Sequence, residues 1–260
     1  MDGANNNELQ QYNEITQEII EKIKCPYQVF LEKCTVEEVN TAYKKALGRG
    51  QKEGFVPILV QADNTLAEWL GILEDESYSK EEVIGKGKIS GKDILEERYA
   101  QYVEDYEEDF GSSSGDNSAS EELIGVMEDG EEINYLTSFA KFSGEGIVET
   151  ILFEIPVKNP WEVIAWMPMG GWNECPEASD MMAVCRYWYE EYGAVPAAFS
   201  HDEVEFLLEK PIEDEEMAWK LAKEHYAFCP DRVDQGTRNG TIGEVADSIR
   251  MSEVWYFWWD

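Results

Sequence analysis

The amino-acid sequence predicts an α+β protein, with a mixed β-sheet packed by helices in a C-terminal module and a mainly helical N-terminal part bearing at least one strand. Three observations carry this prediction. Apolar residues recur at helical spacing over several segments of the first half and at 181–192. Apolar and polar residues alternate at 151–157 and 203–209, the period of half-buried strands. Eight of the nine tryptophans lie between Trp161 and Trp259, so the second half holds most of the bulky core material.

Taken in order, Leu9, Tyr12, Ile15, Ile19 and Ile23 mark an amphipathic helix over 8–24, closed by Pro26. Thr35 and Glu38 form a capping box that opens a second helix with Val36, Val39, Tyr43 and Leu47 on its apolar stripe, and Gly48 is expected to end it. Gly54–Val60 reads as a strand, and Pro57 suggests an edge or a strand start. Asp63 can cap a helix bearing Leu66, Leu70 and Leu73, and Leu95, Tyr99, Tyr102 and Tyr106 mark another over about 92–108. The interval 111–120, GSSSGDNSAS, has the composition of a flexible linker. It divides the chain into a mainly helical region at 1–110 and an α+β domain at 121–260.

Beyond that interval a strand is expected at 151–157 and a second at Trp161–Met167. A helix then carries Met181, Val184, Cys185, Trp188 and Tyr192 and ends near Gly193, followed by strands at 194–199 and 203–209. Met217, Leu221 and His225 share a helix face that must stop before Pro230, and Thr241 opens a short last helix. The run Val254–Trp259 reads as a central strand buried on both faces.

The chain carries 21 basic and 55 acidic residues, net -34. Residues 147–260 hold 8 basic and 23 acidic residues, leaving 13 and 32 for the first 146, so the acidity spans both halves. Nucleic-acid binding needs lysines and arginines to neutralise phosphates, and no basic stripe exists. Anionic membranes are disfavoured for the same reason, whereas a basic protein partner would be attracted. Five cysteines without framework spacing, an N-terminus without a signal segment and no long apolar run point to a cytoplasmic protein with reduced thiols.

The most informative stretch is Met169-Gly170-Gly171-Trp172-Asn173-Glu174-Cys175-Pro176, a glycine-rich turn between two packed elements. Together with Pro160-Trp161-Glu162, Tyr187-Trp188, Tyr192-Gly193-Ala194, Tyr226 to Asp231, Val233 to Gly236 and Trp255 to Asp260, it resembles a bacterial family known only as domain of unknown function 4253. The resemblance covers about 110 residues from about 150 to 260. It implies no activity and no catalytic residues.

Gly85–Lys92 matches neither a phosphate loop nor a dinucleotide fingerprint. His225 and Cys229, four apart on a helix, could join Cys175 around a metal, but two histidines and no paired Cys-x-x-Cys make a weak zinc set, and no metal or other cofactor is expected. A cysteine nucleophile would use Cys175 or Cys229 with His225 and Asp231 or Asp234. Dense acidity opposes the thiolate it needs. Asp231 and Asp234 read either as braces of the 229–236 turn, pairing with Arg232 or Arg238, or as a polar wall facing the Gly170–Cys175 turn across a Trp-lined groove. The candidate binding set is therefore Trp172, Asn173, Glu174, Cys175, Tyr226, Cys229, Asp231, Asp234 and Gln235. The leading expectation is a non-enzymatic acidic binding protein that holds a basic partner, with a toxin-immunity protein as its specific version. The alternative is an enzyme or small-ligand binder centred between Gly170–Pro176 and Cys229–Gly236.

Overall fold

The computed structural model describes residues 12–111 and 118–260. Leu9 of the expected first helix and most of the expected linker, residues 112–117, lie outside the described residues. The fold is α+β, built on a six-stranded mixed sheet with strand order β1-β3-β2-β4-β5-β6. The strands are β1 (Tyr27–Phe30), β2 (Val56–Gln61), β3 (Thr150–Ile155), β4 (Val195–Phe199), β5 (Glu203–Leu207) and β6 (Val254–Trp258). All neighbours are antiparallel except β2 and β4, which pair in parallel at Leu59–Ala198 and Val60–Phe199. Two strands come from before the 111–120 interval and four from after it, so one sheet draws on both parts of the sequence.

The helices start where the sequence places caps. Asn13 caps α1 (Glu14–Ile23), Thr35 and Glu38 form the expected box on α2 (Val36–Glu53), and Asp63 caps α3 (Asn64–Trp69). Then come α4 (Lys80–Lys86), α5 (Gly91–Phe110) and α6 (Ala119–Ile124). The second part adds α7 (Ala178–Tyr192), α8 (Glu215–Phe228), the single turn α9 (Asp231–Asp234) and α10 (Ile242–Met251). Among the described residues no helix is long and apolar enough to cross a membrane.

Alternation along the strands divides the core between two faces. Ile58, Val60, Ile151, Phe153, Phe206, Trp255 and Phe257 pack with α1, α7, α8 and α10. Leu59, Leu152, Ala198 and Leu207 turn to the other face, where Val39, Tyr43 and Ala46 of α2 meet Leu136 and Phe139. The aromatic mass centres on Trp188, which stacks on Phe257 at 5.5 Å and meets Phe206, Phe228 and Trp255 edge-on.

Four expectations are corrected. Trp161–Met167 is not a strand: Pro160 at the first helical position and a reciprocal Asn159–Glu162 box start a 3-10 helix over Pro160–Ala165. The helix after Thr35 runs through Gly48 to Glu53 and ends at Gly54, whose φ of 83° is the left-handed cap; a glycine inside a packed helix only weakens it. Pro57 stands at the strand start, one of the two expected places, but not on an edge: β2 is an inner strand, and the proline is tolerated because pairing with β4 begins only at Leu59. The aromatic strand β6 sits at the sheet edge instead of the centre, paired with β5 as its one strand neighbour, while Val254 N–H donates to the Ile133 carbonyl at 2.9 Å and α9 packs beside it. In addition, Met217 is exposed, and Ala218, Leu221, Ala222 and His225 form the inner face of α8.

Glu205 on β5 is buried, and its carboxylate accepts from the backbone N–H of Thr137 at 2.8 and 3.0 Å and of Ser138 at 3.0 Å. Burial raises it to about 7, against the pull of these amides. Its folded value thus exceeds the unfolded one, so its contribution to stability is greatest below about 4.5 and falls as pH rises through 7. Denaturant unfolding should show Glu205→Gln gaining on the wild type between pH 5 and pH 8, on the order of 2–3 kcal/mol. A constant difference across that window would contradict this assignment.

Candidate functional site

The parallel pair β2 and β4 ends on one side of the sheet, the position where open sheets commonly present ligand sites. β2 leads into Asp63 and α3, which ends at Trp69, and β4 leads into Ser200, His201 and Asp202. A pocket of about 420 Å³ opens there, lined by Trp69, Trp172, Asn173, His201, Asp202, Trp258, Trp259 and Asp260. A larger cleft of about 960 Å³ lies where β2 and β4 splay at their other ends, beside Gly54, Val56 and Val195. Its lining includes Glu190, Glu209 and Glu253 but only two aromatic rings, Phe55 and Tyr189, and no indole, so the smaller pocket with its four tryptophans is the stronger candidate.

The glycine-rich turn brings Trp172 to this wall. Gly170 has φ 96°, and a Cβ there would stand 1.8 Å from the Pro176 carbonyl oxygen, so only glycine fits. Cys175 N–H donates to the Trp172 carbonyl at 3.0 Å and Gly171 N–H to that of Cys175 at 3.1 Å, closing the turn. Trp172 then packs on Trp69 with ring centroids 5.6 Å apart. Asn173 donates from its side chain to the Asp260 carbonyl. Opposite, Trp258 Nε1 donates to Asp202 Oδ2 at 2.9 Å, and Asp260 N–H donates to Asp231 Oδ2 at 3.1 Å. His201 lies between two carboxylates, with Nε2 3.4 Å from Asp202 and Nδ1 3.2 Å from Asp63, the latter without hydrogen-bond alignment. The buried indole nitrogens of Trp172 and Trp259 have no hydrogen-bond partner among the described residues.

The candidate residues read from the sequence disperse around this centre. Trp172 and Asn173 line the pocket, and Asp231 supports it through Asp260. Glu174 contributes its carbonyl to Arg98 of α5. Tyr226 is buried against Tyr99 and Tyr102, at 6.5 and 6.0 Å. Asp234 faces that tyrosine cluster, and burial with the nearby Asp231 charge raises it to about 6. Gln235 bonds Asp231 and lines a different, smaller pocket. Trp69, His201, Asp202, Trp258, Trp259 and Asp260 are the pocket residues absent from the candidate set read from the sequence. The one signal was Trp69 itself, the single tryptophan of the first half.

The thiols are not poised for chemistry. Burial pushes the Cys175 thiol well above its ordinary value and Cys229 up to about 12. Cys229 Sγ donates to the Trp258 carbonyl at 2.9 Å, so it braces β6. His225 is fully buried among Trp188, Trp255 and Phe257, and neither ring nitrogen has a hydrogen-bond partner. Burial and then the Arg232 charge hold it well below 6.5, so it is neutral and engages no thiol. The Cys–His arrangement that a nucleophile requires is therefore not assembled. The described residues also include no group of three or more His, Cys, Asp or Glu placed to hold a metal. The bracing pairs expected for Arg232 and Arg238 are corrected too: Arg238 pairs with Glu131, and Arg232 with neither aspartate.

All five cysteines are free, with Cys25 and Cys34 partly exposed and Cys175, Cys185 and Cys229 buried. A thiol reagent at neutral pH should therefore label only Cys25 and Cys34 in the native protein and all five after denaturation, as read by peptide mass spectrometry. Rapid native labelling of Cys175 or Cys229 would contradict their burial.

No curated protein and no solved structure matches the chain. Residues 151–260, which contain the Gly170–Pro176 turn and the Trp255–Asp260 ending that carry the sequence resemblance, match the family described as Domain of unknown function (DUF4253).

Proposed function

We propose that this chain is a non-enzymatic binding protein that recognises a basic protein partner by receiving a lysine or arginine side chain in the Trp-lined pocket. The observation that carries the reading is the joining of indole rings from Trp69, Trp172 and Trp258 with the carboxylates of Asp202 and Asp260 on one cavity. Aromatic faces attract cations by roughly 0.5–2 kcal/mol, and more as water is excluded. Neighbouring carboxylates add charge complementarity.

The net charge of -34 supports the same reading at long range. A strongly acidic surface speeds encounter with a basic partner and makes the rate sensitive to salt. The specific form we favour is a cytoplasmic, toxin-neutralising immunity protein. Five unpaired thiols accord with a reducing compartment. An enzyme centred on Cys175 and Cys229 draws no support from thiols this deeply protonated.

The test is a titration of intrinsic tryptophan fluorescence with arginine- and lysine-bearing peptides at low and high salt, for the wild type, Trp172→Ala and Asp202→Asn. Wild-type emission should change saturably, with affinity weakened about tenfold in each variant, a cation–π or ionic contact of about 1.4 kcal/mol. High salt should weaken binding further. No saturable response, or affinities indifferent to both substitutions, would overturn the reading.

A further inference from the structure

The turn after α8 holds a charge that the Trp-lined pocket does not use. Arg232 in α9 is 8% exposed, yet its Nε is buried without a hydrogen-bond partner, and it forms no ion pair among the described residues. A cation taken out of water is ordinarily paired, because desolvation without compensation is severely unfavourable. Burial accordingly lowers Arg232 from its usual value, and Cys229, Tyr256 and Glu244 only partly oppose this.

Arg232 lines a pocket of about 200 Å³ together with Glu131, Gln235, Thr237, Arg238, Glu244 and Ser248. The other polar side chains on this wall are engaged. Gln235 donates to Asp231 at 2.7 Å, Thr237 to the Val233 carbonyl at 2.6 Å and Ser248 to the Glu131 carbonyl at 2.6 Å. Arg238 pairs with Glu131, and Glu244 accepts from the backbone N–H of Arg238 at 2.9 Å and of Asn239 at 2.8 Å. The one group left over is the Arg232 guanidinium. None of these residues belongs to the Trp-lined pocket.

We propose that this pocket is a second binding site, for a small carboxylate held by the Arg232 guanidinium. The planar fork of arginine matches a carboxylate through two parallel hydrogen bonds. The two arginines and two glutamates of the wall balance, so the ligand's net charge must stay small: the unpaired Arg232 fork admits a monoanion, whereas a dianion such as phosphate is repelled by Glu131 and Glu244. Glu244 retains lone-pair capacity beyond its backbone donors. A free amino acid therefore fits the same chemistry, its carboxylate on Arg232 and its ammonium toward Glu244. The volume suits a ligand of only a few heavy atoms.

The experiment follows the Arg232 Nε–Hε resonance in ¹⁵N–¹H spectra of the whole chain during titration with acetate, glycine or inorganic phosphate, each against sodium chloride at equal ionic strength. Acetate and glycine should both shift it saturably. Glycine binding tighter than acetate identifies an amino acid as the carboxylate source, and acetate binding at least as tightly identifies a simple carboxylate. Arg232→Lys, followed by thermal shift, should weaken acetate binding roughly tenfold or more, because the bidentate fork is lost. If that variant fails to fold, the wild-type titration still decides. A resonance that does not respond to either carboxylate, or that responds more tightly to phosphate, overturns the proposal.

Discussion

Strand β2 is inserted between β3 and β4, antiparallel to one and parallel to the other. Without residues 56–61, β1 and β3 would form one hairpin-like pair, and β4, β5 and β6 a separate sheet. Ile58, Leu59 and Val60 are fully buried, Leu59 facing α2 and its two neighbours facing the helices of the other layer. Each such side chain contributes about 1.5–3 kcal/mol, so this short segment holds both layers to the sheet. The candidate site depends on the same insertion. Asp63 and Trp69 follow β2 directly, and only its pairing with β4 carries them to His201 and Asp202.

The other wall of the pocket rests on the aromatic core. Trp188 is packed by Phe206, Phe228, Trp255 and Phe257, which immobilise β6 against β5. Alternation along β6 sends Trp255, Phe257 and Trp259 inward and leaves Tyr256 and Trp258 partly exposed, bonded to Glu203 and Asp202. Rings held this firmly lose little freedom when a ligand arrives, which favours recognition. The same dense apolar packing keeps Cys229 protonated and His225 neutral, so these two do not form a thiol–imidazole pair.

Charge acts on two scales in this molecule. At long range the excess of carboxylates gives the surface a negative potential. At short range the arrangement is local: Asp202 and Asp260 stand beside indole rings, whereas Arg232, a buried cation in a strongly acidic protein, forms no ion pair among the described residues. The two pockets thus differ in lining within one module, the first bearing indole rings and carboxylates and the second an unpaired guanidinium.

The local signals in the sequence were sufficient wherever the physics is local. Thr35 with Glu38, Asp63, Thr241 and Gly193 mark helix ends because caps satisfy backbone groups within a few residues. Alternation at 151–157 and 203–209 marks β3 and β5 because side-chain direction has period two. Trp161–Met167 misled because an apolar run without alternation looks the same as a strand or a buried helical turn. Only Pro160 and the Asn159–Glu162 box distinguish them. The turn at Gly170 was legible as a site element, and the tertiary structure decided what it faces. Trp69 and His201 lie far from Trp172 in sequence, and the parallel β2–β4 pairing that joins them leaves no local trace. Likewise, nothing at Arg232 shows in sequence that its neighbouring aspartates turn elsewhere, since pairing is set by side-chain direction in the folded chain.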